Sequence, residues 1–526
     1  MVTAPTYSLE PFRGEWKKED LLHLLRRCLF GIGPRELNHF KGLSLNQCID
    51  ILLTQSPAPK PLTQEDPDLV DPFVKWGGDW TNAPYEDDYI DSRRKFAIKG
   101  WWAGAIIKRD FSLTEKMRLF WHTHFVTELD VVKDSRYSYR YISLLREHAL
   151  GNYRKLVREG TTNIAMLVYL NGNSNSKEAP NENYSRELME LFTLGKGYGV
   201  NYTEDDVRAG ARVLSGWRDN KDTIRSDFHP ELHDTGDKQF SSFFDNTVIK
   251  GREGGEGIIE VDELVDMIFK KLETAEFLCR NLYRWFVCPH MDENIEQKII
   301  QPLAEQLVAH NFEVSSVLRT LLSSEHFFDA AFRGCIIKSP ADFFLGAMQQ
   351  YDVEFPKDVL QMHLSWIQLH AITEGLTMNL GNPPSVAGWP AYYQAPKYNQ
   401  WWVNSATLGY RMSLVDTFSS PEGVACNGPV IRFDFLPLVS QFERPENAVN
   451  LIEEAIQLLC AVPVTDAAKS KLKTVLLSGL QTDHYWTDAW NKYVAKKDDS
   501  MAKSVIDTRL RALFIKIMHL PEFQMM

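Results

Sequence analysis

Apolar residues recur at three- and four-residue spacing along almost the whole chain. The pattern predicts helices over 19–30, 94–108, 113–125, 139–158, 184–194, 204–215, 261–287, 296–309, 313–323, 342–350, 366–379, 448–460 and 504–518. A stripe of this kind is buried only by packing on a neighbour, so many stripes demand helix-on-helix layers. Clear alternating strands are few. The expected class is all-α: a large multi-helix globular domain with long loop insertions and a C-terminal helical subdomain. Local chemistry marks the ends. Ser112 with Glu115 predicts a capping box before 113–125, and Thr203 with Asp206 one before 204–215. Gly151, Gly195 and Gly216 fall where helices stop.

Two stretches break the pattern. Residues 56–90 are rich in Pro and Asp, and residues 219–257 in Gly, Asp and Lys. Loops this long serve as covers or as connections. Between 412 and 445, Pro421, Gly423, Gly428, Pro429, Pro437 and Pro445 interrupt the periodicity. This predicts a main helical domain over 1–411 and a C-terminal helical subdomain over 412–526 packed on it.

Composition removes several function classes. A net charge of −12 excludes a general nucleic-acid binder. The seven cysteines are scattered and none forms a C-x-x-C pair, which speaks for buried thiols in a reducing compartment. No apolar run is long enough to span a bilayer. Residues 1–16 lack the apolar core of a leader, so the expected location is cytoplasmic, with export in a partner's company as the other route.

The densest polar patterning lies in Ala179 to Phe192. On a helical wheel Tyr184, Leu188, Leu191 and Phe192 share one side, while Asn183, Arg186, Glu187 and Glu190 share a neighbouring sector. The polar sector reads either as a solvated face with intrahelical pairs or as a site. In the second reading Glu187 and Glu190 are catalytic, and Asn181, Asn183 and Arg186 bind substrate. Arg208 and Arg212 are ready partners for a structural ion network instead. His233 and Asp234, in a loop with His229 and Glu231, suit a divalent ion or a general base with its orienting acid, or else a solvated turn. His122 and His124 are the candidate metal ligands, but residues two apart on a helix point about 200° from each other. They share a site only if the helix ends by Trp121 and the chain extends. Trp389, with Trp401 and Trp402 nearby, reads as a substrate-stacking platform or as a packed anchor.

Several of these residues fall in blocks that run in a fixed order. They include Leu24 to Gly31, Phe120 to Phe125, Leu145 to Asn152, Pro180 to Phe192, Asn201 to Arg208, Leu214 to Trp217, His233-Asp234, Ile337 to Pro340 and Val386 to Pro390. In these blocks the chain resembles the bacterial domain-of-unknown-function family numbered 1800, over about residues 20–411. It departs from that pattern at Cys28. The resemblance implies no activity. It does imply a neighbour, since such proteins are typically encoded beside members of the family numbered 1501, which look related to sulfatases and phosphatases. Two functions follow as expectations. The first is a metal-assisted hydrolase of unknown substrate, using His124, Glu187, Glu190, His233 and Asp234 in a cleft covered by residues 219–257. A divalent ion (Zn, Mn, Mg or Ca) would be its cofactor. The second is a non-catalytic scaffold or binding partner of the sulfatase-like protein.

Overall fold

The computed structural model describes residues 5–66, 68–84, 87–108, 110–197, 199–426 and 428–526. Helix takes 58% of the chain and strand 5%, so the expected class holds as a mostly helical fold. The elements that position the site are α1 (Asp88–Ile107), α2 (Thr114–His124), α3 (Ser135–Glu147), α4 (Asn183–Glu187), α5 (Glu204–Val213), α6 (Ile258–Phe269), α7 (Leu272–Phe286), α8 (Val359–Gly375), α9 (Ser405–Phe418) and α10 (Ser500–Met518).

Some expected helices divide. The 139–158 stripe breaks after Glu147, and Asn152 restarts it by accepting from the Lys155 amide at 3.0 Å. The 261–287 stripe breaks at Lys270–Lys271 between α6 and α7. The capping box of Thr203 and Asp206 forms, with amide contacts of 2.7 and 3.3 Å. That of Ser112 and Glu115 does not. Ser112 Oγ accepts from the Thr114 amide at 3.1 Å, but Glu115 turns to Arg118 and Arg146 at 3.0 and 2.5 Å. The Ser112 amide donates to Asp110 Oδ1 at 3.2 Å instead, and a buried carboxylate beside two guanidiniums gains more from them than from one amide.

The 219–257 insertion is not plain loop. It carries most of two antiparallel hairpins, β1 (Trp217–Asn220) with β2 (Arg225–Phe228), and β3 (Lys238–Gln239) with β4 (Val248–Ile249). The first is closed by Asn220 Oδ1, which accepts from the Asp222 and Thr223 amides, and by Trp217 and Phe228 with ring centroids 5.3 Å apart. A third hairpin, β5 (Val424–Ala425) with β6 (Val430–Ile431), lies in the punctuated 412–445 stretch.

Buried apolar residues from Leu21 to Phe523 form one connected cluster. Phe523 is its last member, and the residues after it are held by backbone hydrogen bonds. Lys338 N donates to Gln524 O and Met526 N to Ile336 O, each at 2.8 Å. Two close approaches depend on glycine. Gly100 and Gly104 let α1 meet α8, where an added Cβ would lie 2.5 Å from Ile367 and 2.3 Å from Trp366. Gly31 meets Gly346, where a Cβ would sit 2.0 Å from the Gly346 carbonyl oxygen. Backbone cannot yield as a side chain can, so Gly31→Ala should lower stability by about 1–3 kcal/mol. Gly409 in α9 has nothing within 4 Å, and Gly409→Ala should gain up to about 1 kcal/mol from helix propensity. Denaturation midpoints that move alike in the two variants would refute this account of the contact.

Candidate functional site

A cavity of about 270 Å³ opens between α2, α7, the segment after α4, and residues 336–342 and 386–402. Its walls are largely apolar and carry Phe120 from α2, Phe277 and Trp285 from α7, and Tyr392, Tyr398 and Trp402 from the late loop. Met526 closes one side.

The chain beyond α4 widens into π-helix over Leu188–Thr193, a distortion that often accompanies functional positions. Thr193 Oγ1 caps the widened turn by donating to Leu188 O at 2.5 Å. Gly195 then turns with φ +77°, and its missing Cβ leaves room for the Phe277 ring. This geometry puts Glu190 on the cavity, paired with Lys196 at 2.5 Å. Lys116 and Asp342 form a second pair on the wall. Ser339 Oγ donates to Asp342 at 2.7 Å and accepts from the Asp342 amide at 3.2 Å. The Lys338-Ser339-Pro340 block therefore caps the following helix.

His124 also lines the cavity. Its Nε2 donates to the Phe192 carbonyl at 2.9 Å, which leaves Nδ1 to face the Asn281 amide at 3.4 Å. Burial, against the help of that carbonyl, lowers its pKa to about 4, so the ring is neutral at pH 7. Arg284 lies one turn beyond Asn281. It donates to Asn281 Oδ1 at 3.2 Å and stands 5.6 Å from the Tyr398 ring centre. No carboxylate pairs with it among the described residues.

The expected site residues are distributed as follows. Of the catalytic set, Glu190 reaches the cavity and Glu187 does not line it. Burial first, and then the Glu190 charge, raise the Glu187 carboxyl above its usual range. His233 and Asp234 sit elsewhere. His233 Nδ1 donates to Ser215 O at 3.0 Å and Nε2 lies 3.1 Å from Glu260. Asp234 accepts from Arg212 at 2.7 and 3.0 Å. No residue of 219–257 lines the cavity, so the insertion is not its cover. Among the expected substrate binders, Asn181 Oδ1 accepts from the Asn183 amide at 3.0 Å and Asn183 Nδ2 donates to Leu170 O at 3.2 Å. These bonds start α4. Arg186 pairs with Glu182 and Glu204. Trp389 is 2% exposed, between His122 and Tyr392, and packs the loop instead of offering a face.

The metal pair does not form. α2 runs unbroken through His124, so His122 points away into the core against Trp102, ring centres 4.9 Å apart. Among the described residues no three His, Cys, Asp or Glu side chains converge as a metal seat. The residues that sequence reasoning passed over are Asn281, Arg284, Lys116 and Asp342. The available signal was weak: Asn281 and Arg284 are polar residues three apart near the end of an amphipathic helix.

A family model for "Protein of unknown function (DUF1800)" matches residues 23–525. The chain belongs to this DUF1800 family. The match runs through the tail, well past the resemblance blocks that end near residue 411, so the DUF1800 unit includes the helices after the 412–445 stretch. No curated protein and no solved structure matches the chain. The family brings no reaction with it.

Proposed function

We propose that this protein binds a small organic anion with a largely apolar body, and that Arg284 receives its negative group. One observation carries the reading. Lys116 and Asp342 offset each other, as do Lys196 and Glu190, while Arg284 has no opposite charge beside it among the described residues. A half-buried guanidinium favours carboxylate or phosphate, which it meets with paired N–H bonds. At about 270 Å³ the cavity is at the small end of ligand sites, suited to an aromatic acid or a short acyl chain.

Hydrolysis in this cavity would rest on Glu190 and His124. A general base works best with a pKa near the working pH, and His124, held near 4, is a weak one. Binding therefore ranks ahead of metal-assisted hydrolysis. The tail from residue 412 serves in this reading as a helical subdomain that closes the cavity through Met526.

The test is titration of tryptophan fluorescence with phenylacetate and with its neutral amide. The acid should bind saturably and the amide at least about tenfold more weakly. Arg284→Met should remove that preference, costing about 1.5–3 kcal/mol of acid binding. Equal affinity for acid and amide, or no saturation at millimolar ligand, would overturn the reading.

A partner-holding role is the second reading. Phe73, Trp76, Tyr89 and Phe96 are exposed on and beside the 56–90 insertion, and aromatic side chains left open favour protein contacts. The sulfatase-like neighbour is the partner to try. Failure of the two to co-purify at micromolar concentration would sink this reading.

A further inference from the structure

A second, smaller cavity shares Asp342 and Met526 with the first. At about 20 Å³ it has room for one water molecule or one ion slightly larger. Three hydrogen-bond donors line it: Arg26 from the Lys18–Cys28 helix, Lys338, and Gln350 from the Gly346–Gln350 helix. Arg26 Nη2 donates to the carbonyls of Gln457 and Leu458, the second at 3.2 Å. Its Nε and Nη1 make no hydrogen bond among the described residues. The Lys338 ammonium lies 3.9 Å from the centre of the Phe523 ring, and it makes no hydrogen bond or ion pair among the described residues. Gln350 is 9% exposed, and its side-chain amide has no partner among the described residues. Covered polar groups are normally hydrogen-bonded, so three such donors on one small cavity point to an acceptor held there.

The charges on the wall point the same way. The carboxylate on it is Asp342, which is already engaged. Lys116 pairs with its Oδ1, and Ser339 Oγ donates to its Oδ2 at 2.7 Å. Cys460 neighbours both cations but supplies no charge, because burial pushes its thiol up to about 12. Burial also lowers the Lys338 ammonium to about 7, as it does for a covered cation without a counter-charge. Two covered cations that share one cavity are costly unless an anion joins them.

We propose that this cavity is a chloride site, in which one halide ion accepts from Arg26, Lys338 and Gln350. Its size rules out phosphate, sulfate and organic acids, and its donors rule out a cation. The ion ties the Lys18–Cys28 helix to the Lys338-Ser339-Pro340 block and to the Gly346–Gln350 helix. It thereby braces the wall that carries Ser339 and Asp342 into the larger cavity. The proposal is independent of the role given to Arg284, because the two cavities have no cation in common.

The experiment follows the denaturation midpoint of the full-length chain at pH 6.5, where Lys338 is largely charged. Sodium chloride replaces sodium gluconate stepwise at constant ionic strength, and gluconate is too large for the cavity. The midpoint should rise with chloride and level off, as a saturable ligand of the native state requires. Lys338→Met should weaken the apparent chloride affinity at least about tenfold, the loss of one charge-assisted hydrogen bond. Gln350→Leu, which keeps both cations, should weaken it about fivefold. A wild-type midpoint that ignores chloride overturns the proposal, and the cavity then holds water. A chloride response that Lys338→Met keeps at full strength also overturns it, since a non-specific salt effect is common to all variants. Where Lys338→Met does not fold, Gln350→Leu takes its place in that comparison.

Discussion

At pH 5.5 the protein is expected to have lost about 5 kcal/mol of the stability it has at pH 7.5. Four histidines are buried in neutral form. Burial, reinforced by the Arg118 charge, lowers His122 to about 3. Burial, reinforced by Lys99, lowers His370 to about 3. Burial lowers His124 and His363 to about 4. In the unfolded chain each titrates near 6.5. Their stabilisation is complete above pH 6.5 and is lost as pH falls from 6.5 towards 3–4, because the unfolded chain takes up protons that the native rings refuse. One unit below 6.5 this costs about 1.4 kcal/mol per ring. His23, also pushed well down by burial and by Arg27, adds in the same direction. Asp91, Asp110 and Glu187, raised chiefly by burial, take up protons in the native state and offset part of the loss at still lower pH. A loss of about 5 kcal/mol equals the whole stability of many domains. Denaturation midpoints at pH 7.5, 6.5 and 5.5 measure it. A midpoint that stays level across that range would mean these rings are charged or solvated in the native protein.

The same histidines show what the sequence conveys and what it withholds. His124 falls on the apolar stripe with Met117, Phe120 and Trp121, yet it also reads as a metal ligand; the helix runs unbroken through it and buries it against the cavity instead. That helices would form along these stripes was legible because stripes and caps are local, whereas the breaks after Glu147 and at Lys270–Lys271 were not. The Thr203–Asp206 box is complete within four residues and forms as read. Glu115 has the same local spacing from Ser112 and yet turns to Arg146, 31 positions away. No local rule ranks that distant guanidinium above a nearby amide. The cavity was hidden for the same reason. Its walls come from residues 116 to 526, and its charge balance depends on which carboxylates reach which cations. Glu190, which lines the cavity, was singled out because it stands in a polar cluster. Arg284 was missed because nothing beside it in sequence shows that it lacks a partner. The hairpins of the insertion escaped notice because strands of two to four residues are too short for alternation to register.

Glu260→Ala should cost about 3–5 kcal/mol, the loss expected when one partner of a buried ion pair is removed. Glu260 on α6 is fully buried, and so is Lys238, whose Nζ lies 2.5 Å from it. The carboxylate also accepts from the Arg252 amide at 2.8 Å and faces His233. Burial raises its pKa, but His233 and Lys238 outweigh burial and the net shift is downward. Removing Glu260 strands the Lys238 ammonium among covered atoms. Lys238→Met alone should also destabilise, by stranding the carboxylate. Lys238→Met with Glu260→Leu should recover most of the loss, since replacing a buried pair by apolar side chains of similar size is often neutral or stabilising. The cycle separates two roles for His233. If the network is architecture that ties the 219–257 insertion to α6, the single variants melt early and the double variant does not. If His233 and Glu260 instead form a reacting pair, Glu260→Ala leaves the denaturation midpoint within about 0.5 kcal/mol of wild type, as an easily tolerated change would. The architectural role then fails, and His233 with Asp234 returns as a second candidate site.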